Sequence, residues 1–421
     1  AIDIDVFGNI FATGRFYDLT DFDPGPGVFS LINGNQCFVL KLDNNGNFVW
    51  VKQLERNFNG FSIGTSIATD AAGNVYTMGT FFFSVDFDPS ANVFNMTSVG
   101  FQEVFMLKLD PAGNFVWAKQ VEGVPSGQNF SSSIKIDPAG DVIAYGTFEF
   151  TADFDPGPNN FHMTSVNGRD AFLLKLDNNG DFVWAKQIGD SQVGSILTQK
   201  GLALDAGGNI YTSGQFYGGN DFDPGPGVYF YSSASGNIFV LKLDQTGDFV
   251  WAKFLEGPGN GSSYSIATSP FADIYTTGRY FGTMDFDPGA AVFNLNAPTA
   301  HTHFVHKISV CPSNSCIGPT YTVIRLEPCR YRFQVQAIND CNPFLRLQLD
   351  AGMFVNWTVD AENGWLAEEI SPTEILLTHS SGFVPPGVNT PIEFELPEGE
   401  DPVLTILWDN SCEPTEGCSA S

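Results

Sequence analysis

The sequence predicts an all-β protein, with a five-unit β-propeller over residues 1–310 and a β-sandwich over residues 311–421. Three observations predict this fold. Short strings recur at a nearly constant spacing, and the runs between turns have the length and composition of β-strands. The recurring strings then stop near Cys311, where the composition changes.

The repeat is clearest in the string VW(A/V)K, whose tryptophan recurs every 67 residues at Trp50, Trp117, Trp184 and Trp251. The string DFDP begins at Asp21, Asp86, Asp153, Asp221 and Asp285. The string KLD places its lysine at Lys41, Lys108, Lys175 and Lys242, with Lys307 as a degraded fifth copy. Five copies of one unit therefore fill residues 1 to about 310.

Each unit has the same elements in the same order. A short alternating run such as 66–70 opens the unit, and a DxxG turn leads into a second run such as 74–81. The DFDP loop follows, then an apolar run ending in KLD, a second DxxG turn, and the FVWAK run. Because these runs are short, rich in Val, Ile and aromatic residues, and bounded by Gly, Asp and Asn, they predict strands.

The DxxG turns have a plain structural explanation. In the turn from Asp43 to Asn47, the aspartate can accept backbone N–H groups. Gly46 supplies the left-handed conformation that a type I turn with a bulge requires. The turns therefore predict two hairpins in each unit.

Four strands per unit with apolar residues on both faces predict a sheet that is covered by a neighbour on each side. Repetition of such a sheet around an axis gives a β-propeller. A linear β-solenoid is the main alternative, but its repeats are usually about 20 to 30 residues long, much shorter than these.

The recurring strings GN(I/V)Y(x)TG, DFDPG, F(V/L)LKLD and GNFVWAK resemble those of the bacterial SBBP-type β-propeller repeat proteins, many of them from Bacteroidota. The resemblance covers about 310 of the 421 residues. It implies a propeller fold and a secreted or surface-exposed protein. It implies little about a ligand.

The two ends of the repeat array differ. Ala1 aligns with Ser66, so the first unit begins at its first strand, whereas the fifth unit stops after 304–309 and lacks the FVWAK strand. We expect the last sheet to be three-stranded or to be completed from elsewhere. The completing strand would be 320–326 folding back, or a strand of a neighbouring chain. Strand addition between chains would propagate into a filament.

About seven alternating or apolar runs after Cys311 predict an antiparallel β-sandwich that resembles immunoglobulin-like modules. An even number of cysteines in this region favours disulfides and an oxidising, extracellular compartment. The two nearest the C-terminus are the expected partners of one another, and a zinc site is the weaker alternative because paired CxxC units are absent. The six residues are Cys311, Cys316, Cys329, Cys341, Cys412 and Cys418.

The charge of the chain excludes several partners. With 47 acidic and 19 basic side chains the net charge is −28, which disfavours binding to nucleic acid and to anionic membrane surfaces. No run of 18 apolar residues occurs, so membrane insertion is not expected, and any signal peptide is expected to have been removed.

The aspartate pair of each DFDP string is the most regular polar feature. Two carboxylates at i and i+2 share one side of an extended strand, and such oxygens are ligands that Ca²⁺ accepts. Calcium is thus the one cofactor that the sequence suggests. The alternative is a structural turn with one carboxylate paired to a repeat lysine. The ten residues are Asp21, Asp23, Asp86, Asp88, Asp153, Asp155, Asp221, Asp223, Asp285 and Asp287.

Two other features favour structural roles over chemistry. His301, His303 and His306 form HxHxxH, but the third residue faces away from the first two on a strand, so a metal site would need a bend. Cys37 occupies a position that is Val104 in the next unit, which predicts a small buried residue.

Together these observations predict a non-catalytic extracellular structural or adhesive surface protein, assembling through chain-to-chain strand contacts. Its expected partners are itself, other surface proteins or glycans. The alternatives are a glycan-binding module and a five-bladed-propeller glycoside hydrolase, whose catalytic carboxylates would depart from the repeat consensus. The glutamates that do so are Glu55, Glu103, Glu122, Glu149 and Glu256, and no shared inward position is evident among them.

Overall fold

The structure is a computed structural model that describes residues 1–32, 35–189, 195–269, 273–289 and 292–308, together with the backbone of eight strands between Thr320 and Asp409. Every regular element in these residues is a β-strand. The chain divides into two compact units, one of Ala1–Thr268 with Ile274–Lys307 and the other of Ser269–Asp273 with Ile308–Ser421.

The strands of the first unit follow the repeats. The first repeat contains β1 (Ile2–Ile4), β2 (Ile10–Phe16), β3 (Thr20–Asp21), β4 (Ser30–Leu31), β5 (Gln36–Leu42) and β6 (Phe48–Gln53). The second contains β7 (Glu55–Thr69), β8 (Val75–Asp86), β9 (Asn95–Thr97), β10 (Glu103–Leu109) and β11 (Phe115–Gly123). The third contains β12 (Asn129–Ile136), β13 (Val142–Asp153), β14 (His162–Leu176) and β15 (Phe182–Ile188). The fourth contains β16 (Ser195–Leu204), β17 (Ile210–Asp221), β18 (Phe230–Leu243) and β19 (Phe249–Leu255), and the fifth β20 (Asn260–Thr268), β21 (Ile274–Asp285) and β22 (Asn294–Ile308).

Each repeat pairs its main strands in chain order. The orders are β1-β2-β5-β6, β7-β8-β10-β11, β12-β13-β14-β15 and β16-β17-β18-β19. The fifth repeat pairs β20, β21 and β22, and β22 ends the order of its sheet among the described strands. The predicted two hairpins per unit are therefore present in four repeats, and the fifth has three described strands.

The DxxG turns have the predicted geometry. The Oδ1 atom of Asp43 accepts the N–H groups of Asn45 and Asn47, both at 2.8 Å. Gly46 has a φ of 81°, in the left-handed region. The prediction of an aspartate-capped turn with a left-handed glycine is confirmed here.

The core lies between successive repeats. We call the face of a repeat that packs on the preceding repeat its leading face, and the opposite face its trailing face. Between the second and third repeats these faces form one buried apolar cluster. Burial of apolar surface between neighbouring repeats is what stabilises stacked sheets. The trailing face of the second repeat contributes Tyr76, Met78, Val104, Met106 and Trp117, and the leading face of the third contributes Ile134, Val142, Ala144, Phe172, Leu174 and Leu176.

The tryptophan of the VW(A/V)K string holds the next repeat. Trp117 and Lys119 enclose Gly180 of the following repeat so closely that a Cβ there would meet Trp117 at 3.1 Å and Lys119 at 2.8 Å. The Trp117 indole N–H also donates to the Asn178 carbonyl at 3.1 Å. We call this arrangement the Trp-Lys clamp. It recurs with Trp50 and Lys52 around Gly113, and with Trp184 and Lys186 around Gly247.

The second unit contains two four-stranded sheets, with the orders β23-β24-β29-β26 and β27-β28-β25-β30. All seven predicted runs fall on strands. The sequence analysis missed β27, because adjacent glutamates interrupt its alternation. The eight strands are β23 (Thr320–Glu327), β24 (Arg330–Gln336), β25 (Phe344–Leu349), β26 (Asn356–Thr358), β27 (Trp365–Ser371), β28 (Glu374–His379), β29 (Asn389–Glu395) and β30 (Leu404–Asp409).

Two expectations about this region stay predictions. The segment 320–326 lies in β23, which pairs with β24. That pairing occupies one edge of β23, which ends the order of its sheet, so it does not test whether this strand folds back onto the fifth repeat. The local hairpin offers β23 a partner at short sequence separation. The six cysteines of the predicted disulfides, Cys311, Cys316, Cys329, Cys341, Cys412 and Cys418, lie outside the described residues.

Candidate functional site

Each DFDP loop is held by its first aspartate. The Oδ1 atom of Asp21 accepts the N–H of Asp23 at 3.1 Å and the N–H of Phe29 at 2.8 Å. The Phe22 N–H donates to the Phe29 carbonyl at 2.9 Å, which closes the loop. The same aspartate contacts recur at Asp86, Asp153, Asp221 and Asp285.

The second aspartate fixes the tip of the loop. The Oδ1 atom of Asp23 accepts the Gly25 N–H at 2.8 Å, and Asp88 accepts the Ser90 N–H at 2.9 Å. Asp155, Asp223 and Asp287 make the equivalent contact with the glycine two residues on. One oxygen of every DFDP carboxylate is thus engaged by the backbone, which is the structural alternative that the sequence offered.

The sequence analysis also expected a DFDP carboxylate to pair with a repeat lysine, but the repeat lysines have other partners in the structure. Lys175 pairs with Asp137 at 2.7 Å and with Asp141 at 3.1 Å, both in a DxxG turn. Lys186 pairs with Asp248 of the next repeat at 3.2 Å. These lysine ion pairs therefore involve turn aspartates rather than the DFDP loops.

The calcium prediction stays a prediction. Calcium takes six to eight oxygen ligands, and each loop supplies two carboxylates that already accept amide hydrogens. Over the described residues no three or more His, Cys, Asp or Glu side chains form a group that could hold a metal ion. The aspartates are distributed one pair to a repeat.

The aromatic residue that ends each loop packs on the FVWAK strand. Phe29 stacks on Phe48 with ring centroids 4.8 Å apart. The equivalent pairs have centroids 4.9 to 5.0 Å apart: Phe94 with Phe115, Phe161 with Phe182, and Tyr229 with Phe249. The loop is thereby fixed both by its own backbone and by the fourth strand of its repeat.

This packing leaves apolar side chains exposed on the loops. Val28 and Val228 are each 76% exposed, and the aromatic residues beside them remain 40% or more exposed. No Lys or Arg occurs in the loops, so the surface is acidic and apolar. Contiguous exposed apolar surface commonly marks an interaction site. We call these side chains the rim: Val28, Phe29, Val93, Phe94, Phe161, Val228, Tyr229, Val292 and Phe293.

The sequence analysis missed one shared polar position. The residue before the aliphatic start of the third strand is buried and polar in four repeats, as Gln36, Glu103, Asp170 and Asn237. The Oε1 atom of Glu103 accepts the N–H groups of Val99, Gly100 and Gly123. Burial raises the pKa of Glu103, although these three amides act in the opposite direction. A column-by-column comparison of the repeats would have found this position, where a search for scattered glutamates did not.

The other four candidate glutamates lie in different surroundings. Glu149 binds Arg169 at 2.7 Å, and Glu256 accepts the Tyr231 hydroxyl at 2.5 Å. Glu55 and Glu122 are exposed. Glu103 is fully buried and holds a loop. Three of the five candidates, Glu103, Glu149 and Glu256, therefore make structural contacts.

The histidines and Cys37 behave as structural residues. His301 and His303 are exposed, whereas His306 is half-buried near Phe286, and burial lowers its pKa. The Cys37 thiol is a free, fully buried group whose pKa is raised to about 12 by desolvation. The prediction that Cys37 is a small buried residue is confirmed.

Repeated sheets stacked into a curled all-β array, with the same turn and clamp contacts recurring from repeat to repeat, fit a repeat protein of the β-propeller type. No family model matches the chain. The chain is 26% identical over 252 residues to an uncharacterized WD repeat-containing protein of Acanthamoeba polyphaga mimivirus. That match covers 52% of this chain and 18% of the viral protein, so the chain spans less than a fifth of its relative. Among the described residues, no helix has the length and apolar character to cross a membrane.

Proposed function

We propose that this protein is a non-catalytic, extracellular structural and adhesive surface protein. Its five repeats belong to a β-propeller of the bacterial SBBP type, and an immunoglobulin-like sandwich follows them. The observation that carries the proposal is the rim, because every repeat presents an exposed aromatic residue, most often after an exposed valine, on a loop locked by its own aspartates.

Repetition gives the rim its function. Several equivalent weak contacts on one rigid array add up to strong attachment when the partner also has repeated or closely spaced epitopes. Since the loops are acidic and apolar and the chain carries a net charge of −28, the favoured partner is a neutral or basic protein surface. Neutral or basic surface proteins meet that description, whereas a further copy of this acidic chain would be repelled.

The carboxylates support a binding role. Acid-base catalysis on a glycoside needs two carboxyl groups held in unequal surroundings. The ten DFDP carboxylates repeat one pattern of hydrogen bonds, in which an oxygen of each accepts a backbone N–H. We therefore favour adhesion over glycoside hydrolysis.

Glycan binding is the second candidate, and one observation favours it. The rim aromatics present a half-exposed ring while the opposite side packs on the FVWAK phenylalanine, as for Tyr229 on Phe249. An immobilised ring with one free face suits stacking against a sugar.

Binding of the full chain to intact cells, to surface-protein extracts and to a glycan array tests both candidates. A rim variant combines Val28→Ser, Val93→Ser, Val228→Ser and Val292→Ser. A control variant combines Val6→Ser and Val99→Ser, which are exposed valines outside the loops. We expect the rim variant to lose binding tenfold or more at an unchanged melting temperature, and the control to bind normally. Equal binding by the two variants would contradict the proposal, and loss confined to the glycan array would select the second candidate.

A further inference from the structure

The leading face of the first repeat is apolar, and the described residues bury it only in part. Ile2 is 68% exposed, and Ile10, Phe38, Leu40 and Leu42 are only partly buried. The equivalent residues of the third repeat are all fully buried against the second repeat. The first repeat thus ends the described stack with an interface that has no described partner.

The two faces match position by position. Strand register places Ala12 opposite Leu40 in the first repeat and Ala144 opposite Leu174 in the third. Five of the six positions carry the same residue, and the sixth exchanges valine for isoleucine. In chain order they are Ile2, Ile10, Ala12, Phe38, Leu40 and Leu42 in the first repeat and Ile134, Val142, Ala144, Phe172, Leu174 and Leu176 in the third.

Among the described residues, the turn of the first repeat also lacks the Trp-Lys clamp that holds the later repeats. Gly113, Gly180 and Gly247 each lie between a tryptophan and a lysine of the preceding repeat. At Gly46, the equivalent turn of the first repeat, no described atom lies within 4 Å of the position that a Cβ would take. The first repeat therefore has both halves of the receiving surface, an apolar face and a turn glycine.

The fifth repeat fits this surface poorly. The sequence that follows Ile308 contains no Trp-x-Lys, so a fifth repeat cannot close a clamp over Gly46. Its trailing face carries exposed His303, where the other repeats have Cys37, Val104, Ala171 and Ile238. This disfavours the fifth repeat of the same chain or of a second copy as the occupant.

We propose that the leading face of the first repeat is a docking surface for one further complete repeat of this kind, supplied from outside residues 1–421. Its trailing face packs on Leu40 as that of the second repeat packs on Leu174. Its tryptophan and lysine clamp Gly46, with the indole N–H donating to the Asn44 carbonyl. This inference goes beyond the adhesive function and does not use the rim.

The test adds a repeat to the full chain. Residues 66–132 are duplicated ahead of Ala1, which keeps the register because Ala1 is equivalent to residue 133. Urea unfolding and hydrogen exchange of Gln36–Leu42 are measured with and without the added repeat. We expect the added repeat to slow this exchange tenfold or more. We also expect Leu40→Ser to lower the urea midpoint more in the extended protein than in the chain of 421 residues.

A matched pair of changes within the added copy isolates the clamp. The change equivalent to Trp117→Ala removes the expected protection, whereas the change equivalent to Val116→Ser, at an exposed neighbour, leaves it intact. Unchanged exchange in the extended protein would overturn the proposal.

Two measurements on the 421-residue chain keep the proposal open to failure if the extended protein does not fold. Leu40→Asp should leave the chain folded, since its face is only partly buried, whereas Leu174→Asp should unfold it. Unfolding by Leu40→Asp would show that the face is already covered within the chain. In sedimentation we expect the chain to stay monomeric, and dimers abolished by Leu40→Asp would assign the face to a second copy.

Discussion

The second and third repeats stabilise the lysine of their KLD strings in two different ways. Each carries a KLD lysine inside the stack, but Lys108 lies over the Tyr76 ring at 5.0 Å and donates to the Asn178 carbonyl at 3.1 Å. In the third repeat Ile143 replaces the tyrosine, and Lys175 binds two turn carboxylates instead. The difference teaches that a repeat position fixes where a charge is buried, while its local neighbours decide how that charge is stabilised.

The pKa values of the two lysines follow this difference. Burial lowers the pKa of Lys108, and the more distant charges of Asp70 and Asp177 only oppose it. Burial also acts to lower the pKa of Lys175, but hydrogen bonds to Asp137 and Asp141 outweigh it and raise the pKa above its ordinary value. The third repeat thus has an ion pair where the second has a ring and a carbonyl.

Removal of Lys175 should have the largest effect, and removal of Lys108 is the matched comparison. Lys175→Met leaves two mostly buried carboxylates without a cation, so we expect a loss of about 3 kcal/mol in the free energy of unfolding. Lys108→Met leaves only the uncharged backbone and side-chain oxygens of Asn178 without this donor, and we expect a loss of about 1 kcal/mol. Urea unfolding followed by circular dichroism measures both. Lys186→Met, whose partner Asp248 is exposed, is the control and should cost less than about 0.5 kcal/mol. Equal losses for Lys175→Met and Lys108→Met would contradict the comparison.

Conversion of the second repeat into the third should have the next largest effect. Tyr76→Ile removes the ring over Lys108 and the hydroxyl bond to Asp70, and we expect a loss of about 2 kcal/mol. Adding Asn74→Asp supplies the carboxylate that Asp141 provides in the third repeat, and should recover about 1 kcal/mol. The double-mutant cycle by urea unfolding checks this. Additive losses would show that the surroundings of Lys108 and Lys175 are not interchangeable.

Alkaline pH should change the contributions of Lys175 and Lys108 to stability in opposite directions, by less than the substitutions above. Because the folded pKa of Lys175 is raised, its contribution is present below the unfolded pKa and is lost as pH rises through the folded value. Because the folded pKa of Lys108 is lowered, charging it costs stability, and that cost disappears as pH rises through its folded value. The difference in urea midpoint between wild type and Lys175→Met should therefore shrink from pH 8 to pH 11. The Lys108→Met difference should move the opposite way, and parallel trends would refute the assignment.

The smallest effect is expected from a feature that both repeats share. Their DFDP loops are held by aspartate-to-amide hydrogen bonds, so we expect the same melting temperature in chelator and in millimolar calcium. Thermal unfolding measures this. A rise in melting temperature with calcium, abolished by Asp88→Asn, would instead support the calcium prediction.

The sequence predicted local features better than contacts between repeats. The strands, the capped turn at Asp43 and the burial of Cys37 depend on neighbours in the chain or on one position of the repeat. The repeats revealed the recurring tryptophan, but Trp117 contacts Gly180, which is 63 residues away in the chain. The sequence therefore did not reveal what the tryptophan packs against. The partners of Lys175 escaped prediction because they depend on two changes from the second repeat. Isoleucine replaces tyrosine directly opposite Lys175 on the adjacent strand, and Asp141 replaces an asparagine.

The Trp-Lys clamp also bears on how such a chain can grow in evolution. The tryptophans are spaced by 67 residues at every step, whereas the DFDP strings vary in spacing from 64 to 68 residues. A segment of DNA that encodes one whole interval between tryptophans can be gained or lost by unequal recombination with every clamp reformed across the junction. A loss of part of an interval would leave a tryptophan without its glycine. The clamp therefore sets the unit in which the length of this protein can change.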